Sequence, residues 1–382
     1  LYREARQKIE EVFLRSDDRA GLADYYQKWI DKHPDDVDAL VRLGRSLAAQ
    51  GRASASQEWF QKAVKLAPSR KDLRLALVGQ LLADQKFAEA ADQYKAMDEA
   101  SPNDPDVLRA WGGILLRDVA RPEAQRKADA GAVWRRMLEA RPKDPVVAAQ
   151  VADLFRQADL QDDALALYRK AVELAPGDAQ YYEYLGEYLH TLKRPEEAKA
   201  AWAKIAEPPR RDAKNLTRLG EVLAGFGYLA EAVGPLDEAV KLAPDEFTLR
   251  LKLADLLHKA SRHDEAGAQL DAAERLAEKD EEKAAAVDAL VKNDLAAGRI
   301  AAKSEAIRKG IEELEAAKAP APQVSERWAR LARYLEAEAK VNEAVRAAEK
   351  AAEVDPKSIP AWTLAARLRE SSGDLGAAAD AY

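Results

Sequence analysis

Few residues in this 382-residue chain have the types and spacing that chemistry needs. The segment Gly225-Phe226-Gly227-Tyr228-Leu229-Ala230 has the spacing of a dinucleotide loop, in which glycines let backbone N–H groups approach a pyrophosphate. That chemistry requires a strand before the loop and a helix after it. No strand pattern precedes Gly225, and the glycines stand where a turn between two helical stretches needs unusual backbone angles. The nearest pair among the four histidines, His258 and His263, is five residues apart, out of phase with the spacing of four that aligns two zinc ligands on a helical face. There is no phosphate-cradling Walker pattern and no Gly-x-Ser-x-Gly elbow. Asn215-Leu216-Thr217 has the form of a glycosylation acceptor but lies inside a helical stretch. With no cysteine in the chain, thiolate catalysis, disulfides and cysteine-held metals are excluded. No catalytic residue, cofactor or metal is expected, and the chain is not expected to be an enzyme.

The elements that these residues sit on are helices. Hydrophobic residues make up 47% of the chain and charged residues 33%, with Ala, Leu, Glu, Lys and Arg prominent, all good helix formers. The net charge is -7, and the 60 basic residues are spread among 67 acidic ones, so neither nucleic acid nor an anionic membrane surface is favoured as a partner. The short acidic run from Glu278 to Glu282, interrupted by Lys279, reads as a solvated loop or helix end. No run of 18 apolar residues occurs, which argues against direct membrane insertion of this segment. The chain begins at Leu1 with no initiator Met and stops at Tyr382 within a helical pattern, as expected of a piece of a longer protein.

Self-similarity organises the whole sequence. Pro34, Pro68 and Pro102 are 34 residues apart, Pro142 and Pro176 are again 34 apart, and Pro244 follows at twice that interval. The stretches ahead of them match: AVKLAPS at 63–69, MDEASPN at 97–103, AVELAPG at 171–177, AVKLAPD at 239–245 and AAEVDPK at 351–357. Each reads as the end of a helix closed by proline. A bulky residue followed by a small one recurs at Leu43-Gly44, Trp111-Gly112, Leu185-Gly186, Leu219-Gly220, Leu253-Ala254 and Leu331-Ala332. Later in the repeat a small residue precedes a large one by four, as in Ser56/Phe60, Ala90/Tyr94, Ala130/Trp134, Ala164/Tyr168, Ala198/Trp202, Ala232/Leu236 and Ala266/Leu270. Spacings of four and three share one helical face, where a large side chain can fill the gap beside small ones.

On these residues the chain closely resembles the tetratricopeptide repeat family, whose unit is two antiparallel helices over 34 residues. The resemblance implies an all-α, right-handed superhelical solenoid, here with about ten to eleven repeats, in which first helices line an inner groove. A degenerate first unit over 3–36 is followed by units starting near 37, 71, 105, 145, 179, 213 and 247, giving a main solenoid over 1–280. Six extra residues, in the stretch DVARPEAQRKAD, are expected between the helices of the 105–144 unit. The chain then reads as an irregular helical pair over 281–324, ending in the Ala/Pro-rich stretch 316–323, and two further repeats over 325–382, the last cut at Tyr382, its large second-helix position. Alternating Ala and Pro at 316–323 predict extended backbone, as a hinge or a long loop. Pro208 and Pro209 should end one helix early without shifting the register.

Groove-facing positions in the family's first helices are the second, fifth, sixth, ninth and twelfth of each unit. Read onto this chain, the most polar stretch gives Gln180, Glu183, Tyr184, Glu187 and His190 in one unit, Lys214, Thr217, Arg218 and Glu221 in the next, and Lys252, Asp255 and His258 in the third. Tyr184 is expected in the groove and Tyr182 in a packing position, while Trp59, Phe60, Tyr94, Trp134, Tyr168 and Trp202, at or beside second-helix packing positions, are expected in the core. Some family members grip a C-terminal carboxylate with lysine, asparagine and arginine over three units. Lys214 and Arg218 match the last pair of places, but Ala149, Asp153 and Tyr184 stand where lysine and asparagines would be needed, so such a clamp is disfavoured.

The resulting expectation is a protein–protein interaction scaffold that binds a protein or peptide segment in its groove, since mixed charges suit an extended peptide. Two other readings stand beside it. One is the recognition arm of a larger enzyme whose catalytic domain lies outside this segment; the other is a structural element that self-assembles.

Overall fold

Asp36, Asp104, Asp144 and Asp212 each accept hydrogen bonds from backbone N–H groups in the first turn of the helix that follows. These donors have no intrahelical partner, and the carboxylate also complements the helix dipole. Helices, a minority of them begun this way, fill the computed structural model, which describes residues 2–381; Tyr382 and its expected packing role lie outside the described residues. Among the described residues the chain is helix and turn, in two units divided between Leu189 and His190.

The first unit holds α1 (Tyr2–Arg15), α2 (Arg19–Lys32), α3 (Val37–Ala49), α4 (Ala53–Leu66), α5 (Lys71–Ala83), α6 (Phe87–Ala100), α7 (Pro105–Arg117), α8 (Glu123–Ala140), α9 (Pro145–Gln157) and α10 (Gln161–Leu174), with α11 (Ala179–Thr191) at its end. Ser56, Phe60 and Ala63, like Ala130, Trp134 and Met137, are buried at their spacings of four and three. Phe60 packs over Gly44 and the indole of Trp134 over Gly112, so the small residue of the first helix makes room for the large one of the second. Burying each such aromatic contributes roughly 1.5–3 kcal/mol. Trp59 departs from the expectation, being half-buried with Lys62 over its ring at 3.9 Å.

The six extra residues of the 105–144 unit are not a loop insertion. The connection from Asp118 to Pro122 is modestly long, but most of the added chain lengthens α8 to 18 residues, where second helices such as α4, α6 and α10 have 14. Gln125, Arg126 and Lys127 are helix-compatible and continue the amphipathic pattern backward from Ala130. The connection itself is tied down, with Arg121 paired to Asp118 and Asp129 at 3.2 and 2.9 Å and Arg126 donating to Leu116 O at 2.6 Å.

The second unit holds α12 (Pro195–Ala203) with a tight turn over Lys204–Ala206, α13 (Ala213–Gly225), α14 (Leu229–Leu242), α15 (Phe247–Lys259), α16 (His263–Leu276), α17 (Asp280–Ala296), α18 (Ile300–Ala316), α19 (Ala321–Ala337), α20 (Val341–Val354), α21 (Ile359–Ser371) and α22 (Leu375–Ala381). As expected, Pro208 and Pro209 follow a shortened helix and α13 begins in register. The irregular pair consists of two helices of 17 residues, α17 and α18. The acidic run caps α17: Glu282 accepts from the backbone of Glu278 at 3.0 Å.

The stretch 316–323 is not extended. Helix α18 runs to Ala316 and α19 begins at Ala321, with Pro320 at the N-cap and Pro322 in the first turn. First-turn N–H groups have no intrahelical partner, so proline costs nothing there and its fixed φ favours the helix. The core of this part joins Val287, Ile311, Leu331, Tyr334, Leu335 and Leu364 in one cluster.

One backbone feature recurs in the turn inside most helix pairs, though not in the longer connection between α7 and α8. Gly51, Gln85, Asp159, Lys193, Gly227 and Ser261 all have φ between 55° and 85°, with Gly298, Ala339 and Gly373 continuing the series. Gly225 closes α13 and Gly227 supplies the left-handed position, so the dinucleotide-like pattern is a helix–turn–helix connection.

Candidate partner-binding faces

In the first unit, four of the predicted residues lie on α11. Glu183, Tyr184 and Glu187 are half-buried. The side-chain amide of Gln180 donates to the Tyr184 hydroxyl, and the Tyr184 ring meets Tyr181 edge-on at 6.3 Å. Glu187 accepts from Arg156 at 3.4 Å, Arg156 pairs with Asp153 at 3.2 Å, and Asp153 accepts the Tyr168 hydroxyl. Burial and that anionic partner push the Tyr168 phenol well above its ordinary range. The tyrosine expectations are partly reversed: Tyr181 and Tyr188 are the core residues, while Tyr182 is half-buried with its hydroxyl on Pro176 O at 3.3 Å. A bulky hydroxyl-bearing run gave no signal for which ring turns inward.

In the second unit the residues of α13 and α15 form one polar face. Lys252 on α15 pairs with Glu221 on α13, and Lys259 pairs with Asp255 at 2.6 Å. These four side chains, with Gly225 and Leu229, line a cleft of about 330 Å³. All four are about half exposed, where an ion pair contributes roughly 0–1 kcal/mol, so an incoming charged group can exchange with them at little cost. Lys214 is exposed and Arg218 half-buried on the same helix.

Two predicted positions do not present their polar atoms as expected. Thr217 is buried and its hydroxyl donates to Ala213 O at 2.6 Å, within its own helix. His190 sits among aromatic rings, 4.9 Å from Phe226, 5.9 Å from Tyr228 and 6.1 Å from the fully buried Trp202, so its ring serves packing. Counting positions along a repeat locates a helical face but does not see which neighbours close over it.

Sequence reasoning passed over two further polar clusters. Asn293, nearly inaccessible at 1% exposure, accepts from or faces both His258 Nδ1 at 3.2 Å and His263 Nδ1 at 3.0 Å, and donates to His263 O at 2.8 Å. The second is a pair of guanidinium groups on α19, Arg330 and Arg333, at the sixth and ninth positions of the unit from 325. The same counting rule would have found them had it been carried past residue 258.

A sequence model of the tetratricopeptide repeat matches residues 11–71, 150–215 and 217–281, about half of the chain. The chain belongs to the tetratricopeptide repeat family, an all-α solenoid of helix pairs. No curated protein matches it. Among solved structures it is similar to YrrB, described as a tetratricopeptide repeat protein with an unusual peptide-binding site, at 17% identity and a TM-score of 0.31, covering 51% of this chain and 97% of that one. A tetratricopeptide repeat protein from Parabacteroides merdae is similar at 14% identity and a TM-score of 0.34, covering 66% of this chain and 97% of that one. Yeast Tom70 is similar at 15% identity and a TM-score of 0.31, covering 100% and 90%. Among the described residues no helix is long and apolar enough to cross a membrane.

Proposed function

We propose that this chain is a non-catalytic interaction scaffold that binds an extended segment of a partner protein along the polar faces of its first helices. The fold class implies protein or peptide partners, and family members generally act as scaffolds without catalysis. The observation that carries the reading is the face of α13 and α15, where Glu221–Lys252 and Asp255–Lys259 surround an open cleft. Alternating half-exposed charges of both signs offer a peptide complementary hydrogen-bonding and ionic partners at each step of its backbone, which sets register and specificity. Lys214 and Arg218 extend the same face, and Gln180, Glu183, Tyr184 and Glu187 give the first unit a comparable one.

The test is a charge swap, Glu221→Lys with Lys252→Glu. The swap keeps net charge and the internal ion pair while reversing the pattern a partner meets. Affinity capture from cells carrying the gene, comparing the two forms, should recover a partner with the original chain and lose it with the swapped one at equal helicity. Equal recovery by both would refute binding at this face.

A further inference from the structure

Arg330 and Arg333 are three residues apart on α19, hence on one side of it, and both line a cleft of about 240 Å³ between α17, α19 and α21. Their side chains retain only 17% and 18% of their exposure. Withdrawing a guanidinium from water is costly, and burial holds both groups below the ordinary arginine range. The compensation inside the fold is incomplete. Arg330 donates only through one Nη, to Glu274, and Arg333 only through Nε, to Asp288 Oδ1 at 2.7 Å. Among the described residues the two Nη atoms of Arg333 and the second Nη of Arg330 make no hydrogen bond, and none of them is sealed from solvent. Arg367 on the neighbouring α21 adds positive potential at Arg333. Its own fork is taken by Glu336, at 2.8 and 2.7 Å.

We propose that this cleft is a second partner-binding site, in which Arg330 and Arg333 take a carboxylate side chain of a mixed-charge peptide segment. A planar fork with open N–H edges matches a carboxylate oxygen pair, and two forks on one helix face give it a fixed orientation. The basic half of the specificity comes from Asp280, Glu326 and Asp355, which line the same cleft. They disfavour a uniformly acidic segment and suit one whose Asp or Glu is flanked by Lys or Arg. The site rests on the scaffold reading but is separate in residues from the face of α13 and α15.

The probe is a fluorescein-labelled, end-blocked peptide alternating Glu and Lys, titrated with the full chain in anisotropy at low salt. Two control peptides replace Glu by Gln or by phosphoserine. The original chain should bind the Glu/Lys peptide at least tenfold more tightly than the Gln peptide. Arg330→Gln with Arg333→Gln should lose that margin, and Arg333→Lys, which keeps the charge without the fork, should lose several-fold. Lys65→Gln with Lys292→Gln, an equal charge change at exposed positions, should leave binding unchanged. Circular dichroism establishes that each variant remains folded, and Arg333→Lys decides between the outcomes if the double variant does not fold. Binding that survives the arginine changes but disappears with the Glu221/Lys252 swap would overturn this site and leave the scaffold reading intact. No preference for Glu over Gln, or tighter binding of the phosphoserine peptide, would equally overturn it.

Discussion

A Cβ added to Gly112 would fall onto the indole of Trp134, whereas one added to its neighbour Gly113 meets nothing within 4 Å. Two adjacent glycines in one helix therefore do different things. Gly112→Ala forces a rigid, buried ring to move, which costs about 1–3 kcal/mol, against about 1 kcal/mol gained in helix propensity. Gly113→Ala keeps the propensity gain alone, about 1 kcal/mol. Urea denaturation of the two variants should move the midpoint in opposite directions; a shift of the same sign in both would remove the packing account of the repeat.

The left-handed turn position gives a second test. Ala339 has φ of 58°, where a Cβ clashes with the following carbonyl, while Gly51 holds the equivalent place without that clash. Ala339→Gly should stabilise by about 0.5–1 kcal/mol after the entropic cost of glycine, and Gly51→Ala should destabilise by a similar amount. Thermal denaturation of both variants decides it.

Tyr26 is fully buried and its hydroxyl has no hydrogen-bond partner. Burial, reinforced by neighbouring Tyr25, pushes its phenol up to about 12 from 10. A folded value above the unfolded one means that the associated stability is fully present below pH 10 and is lost as pH rises through about 12. Tyr26→Phe removes the unsatisfied hydroxyl, so it should leave stability unchanged or raise it by about 1 kcal/mol at neutral pH. It should also flatten the decline above pH 10, measured as melting temperature against pH.

Much of the fold was legible because the repeat is written in side-chain volume. The Ser56/Phe60 and Ala130/Trp134 pairs sit in the core at their predicted places, and the prolines fall in the turns between units. What sequence could not resolve depended on helix phase and helix length. The residues after Pro122 read as an insertion but extend α8, because polar helix formers look alike in a loop and on an exposed helical face. Pro235 lies inside α14 without ending it. The candidate faces were legible as positions only: Glu221, Lys252 and Asp255 meet around one cleft, while Thr217 bonds to its own helix and His190 is taken by the rings of Trp202 and Phe226. A position count carries no information about the hydrogen bond or ring stack that satisfies a side chain locally.

The central claim, that a partner segment lies on the first helices, is tested most directly by amide hydrogen exchange of the chain with and without its captured partner. Slowed exchange is expected in α13 and α15, with α14 and α16 unchanged, and the Glu221/Lys252 swap should abolish the difference. Protection confined to α14 and α16, or persisting in the swapped chain, would contradict the claim.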